Sequence, residues 1–309
     1  MFQIPQFQLA QIQKLELTGN TTFPAAAIEK DLAISAVLQV VAGIELEGLS
    51  VGFGGGTSLV KARGLMDRLS EDVDLKLIVS QEINRTRRRA LLRTHRDLLL
   101  GALEDCGFSV GSTRTKLEGQ FRQFILEYQS HFSGGRFTSE IQLELWQQIE
   151  LLPMEWLRIQ TILNAQLGEA EPHNLEMQVV NLNETAAQKV VALLVNVTHI
   201  LERPKLVRHI YDIWRISPEN LTLDLALQVF DYSLEELTHR HAAISSPIQG
   251  WKMLMLNLQS LRGNTVLRRV FDVQISQVAN RPVSAQDAFE AFDSLAVRLL
   301  QSSRHRSQL

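Results

Sequence analysis

Cysteine is nearly absent. Cys106 is the only one in 309 residues, which excludes an intrachain disulfide and a multi-cysteine zinc site and fits a reducing compartment. Cys106 itself is expected to be a small buried hydrophobe rather than a nucleophile. Long apolar runs are missing as well. No segment offers eighteen uninterrupted apolar residues, and the opening MFQIPQFQLAQIQKLE has no basic start followed by an apolar stretch. No membrane partner is expected, and a cytoplasmic protein is the simplest reading. Nor is there an excess of charge of one sign. A formal charge of −3 and a pI near 6.3 give no global pull toward nucleic acid or anionic lipid, so any such contact must come from a local patch.

What is present is an ordinary globular composition, 45% apolar, in a chain long enough for one large core or two medium domains. From Phe23 to Val41 the apolar residues Ile28, Leu32, Val37, Leu38 and Val41 share one helical face, with Thr22 as a cap and Pro24 early in the helix. Leu49 to Phe53 reads as a short strand ending in glycines, and Thr57 to Ala62 begins another helix. Asp72 to Val79 alternates polar and apolar residues as a strand does. A long helix from Gln81 to Asp105 follows, then strands at Phe108 to Val110, Phe121 to Tyr128 and Glu140 to Leu145. Residues 1–174 therefore read as an α+β domain, a mixed sheet flanked by helices. The polar connector GEAEPHN closes it.

Residues 175–309 read as a mostly helical domain. A strand from Leu175 to Val180 is followed by helical patterns at Glu184 to Val197, Leu206 to Arg215, Leu221 to Leu237, Gly250 to Ser260 and Ala285 to Gln301, the last capped by Ser284. The chain closes on a loose polar tail, SSRHRSQ.

The segment from Phe53 to Leu75, FGGGTSLVKARGLMDRLSEDVDL, holds the chemistry. Gly54, Gly55 and Gly56 let the backbone approach a phosphate, and the N–H groups opening the next helix attract anions. Thr57 and Ser58 add hydroxyls. Lys61 lies one helical turn beyond Thr57, where it either reaches a phosphate or is an ordinary surface lysine. The turn is neither a Walker loop nor a dinucleotide fingerprint. Asp72 and Asp74, two apart in a strand, point to the same face, and such a carboxylate pair suits magnesium completed by substrate phosphates. A third carboxylate completing the site would come from EIQLELW, where Glu140 and Glu144 share the polar face; Glu144 is preferred. Arg85, Arg89, Arg93 and Arg96 form a basic stripe, which is either a phosphate contact or a solvated helix face. No histidine cluster stands at zinc-ligand spacing.

GGGTSLVKARGLMDRLSEDVDL resembles the signature of the AbiEii/AbiGii toxin family, nucleotidyltransferase-like proteins of the DNA polymerase beta superfamily. The family's Gly-Gly-Thr/Ser motif maps onto Gly55, Gly56 and Thr57, its lysine onto Lys61, and its Ser-Glu-Asp-x-Asp segment onto Ser70, Glu71, Asp72 and Asp74. Glu29-Lys30-Asp31 resembles its opening helix, and IQLELW the strand of its third acidic residue, here Glu144. Its late motifs map onto Lys189 and onto Arg208, His209 and Asp212. Gly54 stands where many members have lysine, and His209 where many have aspartate.

The resemblance implies a nucleotidyltransferase-like fold and a cleft completed by the helical domain. It implies catalytic roles for Asp72, Asp74, Glu144, Lys189 and Asp212, and nucleotide binding by Gly55, Gly56, Thr57, Ser58, Lys61 and Arg208. Magnesium, with manganese as the alternative, would be held by Asp72, Asp74 and Glu144. The substrate would be a nucleoside triphosphate and the acceptor an RNA, for example a tRNA, or a protein hydroxyl. The partner would be a cognate antitoxin, the biological role the toxin of a type IV toxin–antitoxin or phage-defence system. Two rivals remain: a nucleotide- or partner-binding regulator that transfers nothing, and a phosphohydrolase.

Overall fold

The computed structural model describes residues 1–65, 68–132, 137–169, 175–240, 244–279 and 283–305, apart from the side chains of Glu118 and Arg240. It divides into two compact units. The first comprises Met1–Gly64, Leu69–Glu150 and Met154–Val180; the second comprises Leu65–Arg68, Leu151–Pro153 and Asn181–Leu309. The first unit takes in the strand just before Val180, which is paired into its sheet. Of the expected connector GEAEPHN, residues 170–174 lie outside the described residues, as do residues 306–308 of the expected tail.

In the first unit the order is α1 (Gln6–Thr18), α2 (Ala25–Ala42), β1 (Leu49–Gly54), α3 (Gly55–Lys61), β2 (Asp72–Val79), α4 (Arg85–Asp105), β3 (Ser109–Lys116), β4 (Phe121–Glu127), β5 (Glu140–Gln147), β6 (Glu155–Arg158), α5 (Ile162–Leu167) and β7 (Glu176–Val179). The seven strands form one mixed sheet in the order β3-β4-β5-β2-β1-β7-β6. β1 runs antiparallel to β2, while β2 runs parallel to β5. Period-two alternation gives the sheet two unlike faces. On one, Val73, Leu75, Leu77, Phe124, Leu126, Ile141, Leu143 and Leu145 are buried in a core shared with Ile28, Leu32 and Leu38 of α2 and Leu99 and Leu103 of α4. The other face carries Asp72, Asp74, Gln142 and Glu144.

Several local expectations change. Pro24, not Thr22, occupies the cap position of α2, with no side-chain cap. It is Thr21 whose hydroxyl accepts from the Phe23 N–H, at 3.0 Å. α4 starts at Arg85 because the Asn84 side chain accepts from the Arg87 N–H. Cys106 is exposed rather than buried, since it sits at the C-terminal cap of that helix, outside its packed face. β3 runs to Lys116, well past Val110. Its polar sequence carries no hydrophobic signal, and pairing to β4 holds it.

The second unit contains α6 (Leu182–Asn196), α7 (Arg208–Ile216), α8 (Leu223–Arg240), α9 (Pro247–Arg262), α10 (Thr265–Ser276) and α11 (Ala285–Ser302). Side chains cap most of them, as free N–H groups at helix starts require. Asn181, Ser246, Asn264 and Ser284 each accept from a first-turn N–H. The core joins Val190 and Leu194, Ile210 and Ile213, Val229 and Phe230, Leu254, Phe271, Phe289 and Phe292. No described helix is long and apolar enough to cross a membrane.

Candidate functional site

β1 delivers the chain into the glycine turn directly beside β2, where Gly54 pairs with Asp74. Gly55 has φ +69°, and a Cβ there would stand 1.8 Å from Asp74 Oδ2. Position 55 therefore admits glycine alone, for its backbone and for the carboxylate lying against it. A second link ties the turn to the aspartates: the Thr57 hydroxyl donates to the Asp72 carbonyl. The Ser58 hydroxyl donates to the Gly55 carbonyl at 3.0 Å. Both side chains are buried, and in these bonds they brace a turn whose expected role is to donate to a phosphate. The backbone N–H groups of Gly55, Gly56 and Thr57 at the start of α3 keep that capacity.

The register of β2 and β5 separates the two glutamates. Asp74 pairs with Glu144 and Asp72 with Gln142, while Glu140 lies beyond Asp72 and opposite Glu127 of β4. Directly paired residues share a face, so Asp72, Asp74 and Glu144 do. Glu144 is held by three N–H donors: Gln123 Nε2 at 2.9 Å and Gln142 Nε2 at 2.6 Å on Oε1, and Trp146 Nε1 at 3.1 Å on Oε2. Among the described residues no group of three or more His, Cys, Asp or Glu stands ready as a metal cluster. The oxygen donors of Asp72 and Asp74, beside the glycine turn, fit a hard divalent ion whose remaining ligands come from substrate and water. Glu144 would have to exchange some of its donors to join them.

Lys61 is buried in an ion pair. Its side chain is fully buried, and Nζ lies 2.7 Å from Asp31 Oδ1 and 3.2 Å from the Asp31 carbonyl. Asp31 Oδ2 accepts from the Ile162 N–H at 2.8 Å. Lys61 thus takes part in an ion pair joining α3, α2 and α5. One helical turn on from Thr57 brings Lys61 onto the packed side of a short helix, where only a carboxylate partner makes its charge tolerable. Glu29 of the same motif is likewise structural, accepting from Ser130 Oγ at 2.6 Å and the His131 N–H at 2.7 Å.

The second unit gathers the late motifs around a buried Asp212. Arg68 grips it through Nε to Oδ1 at 2.7 Å and Nη2 to Oδ2 at 2.9 Å, and Lys189 Nζ meets Oδ2 at 2.7 Å. Burial is the largest influence on Asp212 and acts to raise its pKa. The Arg68 and Lys189 charges, with hydrogen bonding, overcome it and hold the carboxyl well below the usual range. Burial, reinforced by the Lys189 charge and opposed by Asp212, pushes His209 down to about 4. Its ring stands 4.0 Å from Asp212 and keeps 23% of its side-chain surface exposed. Arg208 Nη2 reaches Gln274 Oε1 at 3.5 Å, while Arg68 and Lys189 take the Asp212 oxygens. Arg68 escaped the sequence reading. Its signal was a lone arginine in the connector DRLSED, whose partner lies 144 residues away.

A family model described as "Nucleotidyl transferase AbiEii toxin, Type IV TA system" matches residues 43–294, more than half the chain. The chain belongs to this family. AbiEii membership makes it a member of a family of nucleotidyl-transferring toxins of type IV toxin–antitoxin systems. A solved structure with a TM-score above 0.5 shares the fold. MenT4, the nucleotidyltransferase toxin Rv2826c from Mycobacterium tuberculosis H37Rv, is 18% identical over 97% of this chain and 92% of its own, with a TM-score of 0.57. JHP933 from Helicobacter pylori is 13% identical over 91% of this chain and 95% of its own, with a TM-score of 0.41. None of the curated proteins matches the chain. The α+β class, the mixed sheet flanked by helices and the helical C-terminal region are those of AbiEii nucleotidyltransferases.

Proposed function

We propose that this AbiEii chain transfers a nucleoside monophosphate from a nucleoside triphosphate to an RNA acceptor, for example a tRNA, with a protein hydroxyl as the alternative acceptor. The observation that carries the reading is the close approach of Gly55 to Asp74, in register with Glu144. It sets the glycine turn against a carboxylate pair.

The acceptor oxygen attacks the α-phosphorus, a phosphorus–oxygen bond forms, the bond to the β-phosphate breaks, and pyrophosphate leaves with the electron pair. Magnesium, or manganese, when bound by Asp72 and Asp74 with Glu144, would neutralise charge on the phosphates and favour the hydroxylate. The backbone of Gly55, Gly56, Thr57 and Ser58 receives the triphosphate. Gln123, Gln142 and Trp146 orient Glu144. Lys189, Arg208 and Asp212 are assigned to nucleotide handling by the resemblance, with Asp212 fixing Lys189 and Arg68 in place. A cognate antitoxin as partner, a cytoplasmic location and a role in phage defence complete the proposal.

Purified protein with labelled nucleoside triphosphates and total RNA should label RNA when magnesium is present. Asp72→Asn should lower transfer by at least about a hundredfold, as losses of preorganised charge do, and leave the thermal melt close to that of wild type. Wild-type transfer by that variant would remove Asp72 from the mechanism. A second reading, a regulator that binds nucleotide without turnover, is favoured by the three donors already holding Glu144. Magnesium-dependent nucleotide binding with no labelled product from any acceptor class would select it.

A further inference from the structure

The face of the sheet that carries the aspartates does not end with them. Following the register outward from Asp74, the row runs through Glu144 on β5 and Gln123 on β4 to Arg114 on β3. The next row runs from Lys76 through Trp146 and Phe121 to Lys116. β3 is one of the two edge strands, and both Arg114 and Lys116 are exposed. Among the described residues neither has a carboxylate partner. Lys116 instead lies over the Phe121 ring at 5.8 Å, and that ring rests against Trp146 at 4.3 Å.

We infer that the β3 edge, through Arg114 and Lys116, is the landing surface for the backbone of a single-stranded RNA acceptor. The inference rests on the nucleotidyl-transfer reading and deepens it by choosing RNA over protein. Basic residues on an edge strand also deter edge-to-edge pairing, but that task is indifferent to the face they occupy. Here both cations of β3 lie on the aspartate face. The positions of β3 that share the core-side register, Thr113 opposite Phe124 and Thr115 opposite Arg122, are uncharged. Two cations two residues apart on one strand stand about 7 Å from each other, a separation suited to a flexible phosphate backbone. From β3 to β2 is three strand spacings, about 14 Å, which a few nucleotides span.

The opposite end of that face repels a polyanion. There Glu127 is paired with Glu140, so the charge pattern gives the strand a preferred path past Arg114 rather than past the start of β5. The arginine stripe on α4 does not compete for this role. α4 packs Leu99 and Leu103 into the core on the other face of the sheet, and its arginines lie on the side away from the aspartates.

The test uses full-length protein and a short, unstructured, fluorescein-labelled single-stranded RNA, with affinity followed by anisotropy across a salt series. Arg114→Glu with Lys116→Glu should weaken binding at least about tenfold. It should also flatten the dependence of log affinity on log salt by about 1.4, two contacts at roughly 0.7 each. The charge-conserving pair Arg114→Lys and Lys116→Arg should retain wild-type affinity and slope, which separates charge from fold. Unchanged affinity and slope in the Glu pair, no RNA binding by the wild type, or a loss seen only with Arg85→Glu and Arg89→Glu would each overturn the inference. So would labelling of a protein acceptor that the Glu pair leaves intact. Asp72→Asn strikes transfer alone, so failure of the catalytic reading shows as wild-type transfer by that variant, independently of the binding series.

Discussion

Gly55 and Asp74 show how tightly single residues can constrain one another. A Cβ on residue 55 meets the carboxylate Oδ2 at 1.8 Å and its Cβ at 2.9 Å, and the backbone is in the left-handed region besides. Gly55→Ala should cost about 1–3 kcal/mol in stability, the range for a strained backbone position. It should depress transfer out of proportion, because relief of the clash moves Asp74. Comparing the urea midpoint with the transfer rate checks this; a rate that falls only as far as the folded fraction would refute it. The glycine turn and the two aspartates were legible in the sequence because their spacing is local. Thr57 and Ser58 were legible as polar, but not as donors to Asp72 and Gly55, since either direction of a hydroxyl bond leaves the same letters in the chain.

Elements are joined by pairs whose members are remote in sequence. Lys61 and Asp31 are 30 residues apart, and with the Ile162 N–H they connect three helices. Lys61→Met alone leaves Asp31 buried without its cation and should destabilise by about 3–5 kcal/mol, whereas Lys61→Met with Asp31→Leu should recover much of that loss. Chemical denaturation of the single and double variants measures the coupling; additive losses would show that the two groups act separately. Sequence patterning predicts elements well where one face is apolar. β2 occupies Asp72–Val79 as its alternation requires, and Ser284 caps α11 through the Asp287 N–H at 3.2 Å. It fails where pairing rather than burial makes the element. β6 is four residues long, with Trp156 67% exposed, and no periodicity announces it. α10 was missed although Asn264 caps it and Phe271 is buried, because its arginines interrupt the apolar stripe.

At the scale of the whole molecule, buried histidines decide the response to acid. His95 on α4 is fully enclosed, and neither ring nitrogen finds a hydrogen-bond partner among the described residues. Burial pushes its pKa down to about 4. His209 is pushed down to about 4 in the second unit. The unfolded chain takes up these protons near pH 6.5 and the folded chain only near pH 4, so the unfolded state binds more protons between those values. Stability is therefore complete above about pH 6.5 and is lost as pH falls toward 4, on the order of 3 kcal/mol for each group. Asp212, held well below the usual carboxylate range, adds its own loss at lower pH. Urea midpoints at pH 7.5, 5.5 and 4.5 should fall in that order, and His95→Leu should flatten the trend. A flat profile in the wild type would sink the account. The histidines were visible as letters, but their enclosure depends on contacts that no local pattern reports.

The contact between Gly55 and Asp74 also bears on how such a toxin can be lost. Every base change that replaces a glycine codon with that of another amino acid introduces a side chain bearing a Cβ, and all of these collide with the same carboxylate. Position 55 is consequently a wide genetic target. In cells released from their antitoxin, survivors should carry missense changes at codon 55 alongside those at codons 72 and 74, although the glycine contributes no reacting atom of its own.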